Sequence, residues 1–70
     1  MKRIEMVTAL ASLVIELQDE GHNAQLEIFP MYINVCAFSK DVRQIFSNYI
    51  TDGNDALYLQ TINQLNNLRK

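Results

Sequence analysis

The chain predicts a small single α+β domain over residues 1–70, ordered helix, β-hairpin, helix, helix. Three observations predict it: a helical apolar stripe ending at Gly21, a switch to two-residue alternation from residue 24 to 38, and two further helical stripes after Ser39. Apolar types make 49% of the chain and charged types 20%, a composition that folds and does not stay disordered.

The first helix is expected from about Lys2 to Asp19 or Glu20. Met6, Val7, Leu10, Leu13, Val14 and Leu17 share one face, with Glu5, Thr8, Ser12, Glu16 and Asp19 opposite. Ile4, Ala11 and Ile15 widen the stripe on one flank. Gly21 suits a left-handed cap. In the hairpin, Ala24, Leu26 and Ile28 alternate with Gln25, Glu27 and Phe29, and Ile33, Val35 and Ala37 alternate with Tyr32, Asn34, Cys36 and Phe38. A turn at Phe29-Pro30-Met31-Tyr32 pairs Ile28 with Ile33, Leu26 with Val35 and Ala24 with Ala37, and all six then face one way. Two strands alone are marginal, so that face must lie on helices or join another chain.

Ser39 reads as the N-cap of a second helix over about residues 40–50, because Val42, Ile45, Phe46, Tyr49 and Ile50 fall at i, i+3, i+4, i+7 and i+8. Asn54 reads as the N-cap of the last helix, whose inner face is Leu57, Tyr58, Ile62, Leu65 and Leu68.

The one cysteine, Cys36, excludes an intrachain disulfide and suits a reducing, cytoplasmic setting. Lys2 and Arg3 precede an apolar run, but Glu5 and the absence of a cleavage pattern speak against a signal peptide. The run from Met6 to Ile15 is also too short to span a membrane. No cofactor or metal is expected. Placing Asp52-Gly53 in a calcium loop puts Ile50 and Leu59 where oxygen ligands are needed. His22 with Cys36, Asp19 or Glu20 could form a nucleophile–base set, but nothing in the sequence forces the loop histidine and the mid-strand cysteine together, and Glu16 with Glu20 reads as a solvated helix face. The chain is therefore expected to be non-enzymatic.

Net charge is −2, and from residue 5 to 39 there is no Lys or Arg beside Glu5, Glu16, Asp19, Glu20 and Glu27. This favours a basic partner and disfavours phosphate backbones. A helix-turn-helix made of the last two helices is the nucleic-acid alternative, with Gln60, Asn63, Gln64 and Asn67 as base-reading side chains. It brings no cation before Arg69. A structural assembly subunit is a further alternative. Apolar residues beyond the needs of one core (Ile4, Ile15, Phe29, Tyr32 and Leu59) point to protein–protein contact. The expected function is thus a regulatory or accessory protein, a homodimer, with a partner site at Phe29, Pro30, Met31, Tyr32 and Glu27.

Overall fold

The computed structural model describes all residues from Met1 to Lys70. Two helices and three strands follow in the order α1 (Arg3–Asp19), β1 (Asn23–Ile28), β2 (Ile33–Phe38), β3 (Gln44–Ile50) and α2 (Asp55–Asn67). The strands form an antiparallel sheet in the order β1-β2-β3. Both helices cover one face, enclosing a core of Met6, Leu10, Val14, Leu17, Ala24, Ile33, Val35, Ala37, Phe46, Ile50, Tyr58 and Leu65. The opposite face carries no helix. With three antiparallel strands between them, α1 and α2 run parallel. The N-terminal amine meets Asp55 at the start of α2, and Arg69 beyond its end meets Glu16 and Glu20 of α1.

The end of α1 follows from Gly21. Its φ of 94° places it in the left-handed region, and the chain reverses with His22 N–H donating to the Leu17 carbonyl and Gly21 N–H to that of Gln18. The pairing of β1 with β2 is the one the alternation predicts: Ala24 with Ala37, Leu26 with Val35 and Ile28 with Ile33. The turn carries one hydrogen bond, from Phe29 N–H to the Tyr32 carbonyl at 2.9 Å. The Arg3 guanidinium closes it from α1 by donating to the carbonyls of Phe29 and Pro30, the latter at 2.7 Å. Asn54 caps α2, accepting from Leu57 N–H at 3.2 Å.

One expected element is replaced. Residues 40–50 are not a helix: they form a hairpin loop and β3, so the domain has two helices and three strands. The helical spacing of Ile45, Phe46, Tyr49 and Ile50 coincides with a strand pattern disguised in two ways. Ile45 is an unpaired bulge residue, since Ala37 faces Phe46 while Phe38 faces Gln44. Asn48, pointing inward between Phe46 and Ile50, breaks the apolar alternation. Its amide donates to Thr61 Oγ1 at 2.9 Å and Gln64 Oε1 at 2.6 Å, which offsets the cost of placing it against the helices. Ser39, the expected N-cap, instead fastens the loop, its hydroxyl accepting from Arg43 N–H at 3.2 Å. The third strand resolves the instability of a lone hairpin, and it makes β2 a central strand buried along most of its length.

Candidate functional site

The helix-free face is built from alternate residues of the three strands. Its middle rows are Glu27–Asn34–Tyr49 and Gln25–Cys36–Ser47. Asn34 and Cys36 are buried even here, because the side chains of both outer strands flank them. Asn34 ties the two rows together, donating to Glu27 Oε1 at 3.3 Å and accepting from Ser47 Oγ at 3.2 Å. In the second row the Cys36 thiol lies 3.8 Å from Gln25 Oε1. The centre of the face is therefore polar and internally hydrogen-bonded.

At the hairpin end the character changes. Phe29 stacks on Tyr32 with ring centroids 4.8 Å apart, and Tyr32 meets the edge of Tyr49 at 5.4 Å. Tyr32 is half-buried between its neighbours, whereas Tyr49 is 57% exposed and Met31 79% exposed. The result is a row of three aromatic rings ending in a solvent-facing methionine and proline. Such rings supply rigid contact area at low entropic cost, and the tyrosine hydroxyls add polar anchors.

The structure brings Phe29 and Tyr32 together and sets Glu27 in the row beside them, with Pro30 and Met31 at the tip. Tyr49 is the member that sequence reasoning misses, because its spacing with Val42, Ile45, Phe46 and Ile50 matches a helix while the residue lies in β3. Its signal was present: Ile45, Phe46, Tyr49 and Ile50 are types enriched in strands.

Other residues singled out in the sequence have structural tasks. Burial, reinforced by the Glu27 charge, pushes the Cys36 thiol above its ordinary pKa and keeps it protonated, the opposite of an activated nucleophile. His22 lies in the turn before β1, lining a hollow of about 410 Å³ with Phe38, Val42, Ile45 and Leu68. Glu16 and Glu20 are both held by Arg69, at 3.2 and 2.8 Å. The hydrogen bond from Arg69 also sets the Glu20 carboxyl below its usual pKa. Glu16 and Glu20 are therefore answered within the chain, and on the open sheet face Glu27 is the one charged side chain. Gly53 and Asn54 form the turn and cap that start α2. A helix-turn-helix has no counterpart, since a strand precedes α2.

No helix is long and apolar enough to cross a membrane. Comparison with protein-family models, with curated proteins and with solved structures found no match to this chain.

Proposed function

We propose that this is a small non-enzymatic regulatory or accessory protein that holds a protein partner on its open sheet face. The observation carrying the reading is the row Phe29–Tyr32–Tyr49, with Pro30 and Met31 at its end, on a face that no helix covers. Glu27 adds the one charge of that face and suits a partner segment bearing a Lys or Arg beside an apolar patch. The protonated state of Cys36 and the pairing of Glu16 and Glu20 with Arg69 support a binding role over a catalytic one. A lone, reduced thiol also fits a cytoplasmic setting.

The test is a double substitution, Phe29→Ala with Tyr49→Ala, read beside circular dichroism and a thermal melt because both rings pack on Tyr32. Affinity capture with the wild-type chain identifies the partner, and titration of the purified pair measures the change. Dissociation constants should rise at least about 30-fold, the equivalent of about 2 kcal/mol, if the row is the centre of the contact. Unchanged affinity in a variant with wild-type circular dichroism refutes the site. A captured nucleic acid whose affinity falls steeply with salt would replace this reading with a phosphate-binding one.

A further inference from the structure

One carboxylate on the open sheet face is left without a counter-ion. The strands Asn23–Ile28, Ile33–Phe38 and Gln44–Ile50 contain no Lys or Arg, and Glu27 takes part in none of the ion pairs of the chain. The Asn34 amide holds Glu27 Oε1 at 3.3 Å, and Ser47 in turn donates to the Asn34 side-chain carbonyl. The carboxylate is thus fixed in place while Oε2 keeps its full capacity to accept.

Aromatic surface stands beside it. Phe29 follows Glu27 on the same face of the hairpin, and Tyr49 is the far member of the cross-strand row Glu27–Asn34–Tyr49. Tyr32 stacks with Phe29 and meets Tyr49 at an interplanar angle of 66°. In an edge-to-face pair one ring keeps both faces free and the other keeps one, so at least one face of the exposed Tyr49 is covered by no ring. Glu27 and Tyr49 stand on the two outer strands, about 10 Å apart at their bases from twice the strand spacing. Between them lies only the short, buried Asn34.

We infer that the partner presents an arginine here, its guanidinium lying over Asn34, against the Tyr49 ring and donating to Glu27 Oε2. This deepens the reading of the face as a protein-binding site and rests on it. A guanidinium is planar, stays charged at every physiological pH and carries five donors in a rigid fork, so one group both packs on a ring and bonds a carboxylate. A lysine ammonium is a compact, strongly hydrated charge and gains less from the ring. The carboxylate is held by Asn34 before the partner arrives, which lowers the ordering cost of the bond. The positive ends of both helices lie on the other side of the sheet, where Glu5 and Asp55 stand in the first turns. Their effect fades within a turn, so Glu27 sets the sign of this face. Phe29, Pro30 and Met31 supply the apolar contact for residues flanking the arginine.

The probe is a displayed library of random short peptides selected on the full chain. Peptides whose affinity falls in the Phe29→Ala, Tyr49→Ala variant bind the aromatic row, and these should carry an arginine beside an apolar residue. In a synthetic copy of one of them, citrulline in place of the arginine keeps the shape and loses the charge, and should raise the dissociation constant about tenfold. Lysine in its place should raise it about threefold. Glu27→Gln, which keeps an acceptor for Asn34, should weaken the arginine peptide about tenfold and leave the citrulline peptide nearly unchanged, with wild-type circular dichroism. Row binders without arginine, or a lysine peptide that binds as tightly, overturn the inference while leaving the face a protein-binding site. Equal losses of the arginine and citrulline peptides on Glu27→Gln do the same. A library that yields no row binder removes both readings.

Discussion

Val42 has a φ of 63°, a left-handed conformation that a β-branched side chain adopts only under strain. The surrounding hydrogen bonds impose it: Val42 N–H donates to the Ser39 carbonyl at 2.9 Å, and Ser39 N–H to the Arg43 carbonyl at 2.8 Å. The loop is a tight turn followed by one left-handed residue, a place that glycine or asparagine fills without strain. Val42 is 73% exposed, so its side chain gives little burial in return. Val42→Asn should therefore stabilise the domain by about 1 kcal/mol, raising the melting temperature by about 4–8 °C in a chain of this size. A thermal melt that falls or stays level would show that Val42 packs against something in solution. Single residues also explain what the sequence conceals. Asn48 and Thr61 are polar letters at inward positions, made compatible with the interior by hydrogen bonds: Asn48 donates to Thr61 and Gln64, and the Thr61 hydroxyl donates to the Leu57 carbonyl.

Among the elements, those specified by local chemistry were legible. Gly21 ends α1, Asn54 starts α2, and the turn at Phe29–Tyr32 sets the register of β1 on β2. β3 was not legible, because its identity depends on a distant helix that satisfies Asn48 and on a bulge that shifts its period. The candidate site divides the same way: the hairpin supplied Phe29 and Tyr32, while Tyr49 arrives with the unread strand. The parallel course of the helices follows from that third strand, and it brings together a contact that sequence spacing does not reveal, Arg69 with Glu16 and Glu20. That contact lowers the Glu20 pKa in the folded state, so its stabilisation is present above the ordinary carboxylate pKa and is lost as pH falls through the lowered folded value. Arg69→Gln should be less stable than the wild-type chain at neutral pH. The gap between the two should close as pH drops through the carboxylate range, and high salt should narrow it at neutral pH. Denaturant titrations across pH would check this, and the effect should be small because the pair is exposed.

For the molecule as a whole, 70 residues enclose a core near the lower limit for independent stability, and a second copy would add to it. If association contributes, the midpoint of thermal unfolding should rise with chain concentration, since anything that binds only the folded state stabilises it by mass action. A midpoint unchanged from micromolar to near-millimolar chain would show that the fold stands on its own core.

The parallel course of α1 and α2 has an electrostatic meaning. Peptide dipoles in neighbouring helices that point the same way add, so both positive poles gather beside the Phe29–Tyr32 turn and both negative poles at the far end. Glu16, Asp19 and Glu20 deepen that negative end, and the sequence answers it with Arg69 and Lys70 after the last helical turn. A single chain consequently carries a lengthwise electric moment from its helices. That field acts on a charged partner before contact and orients it along the length of the chain.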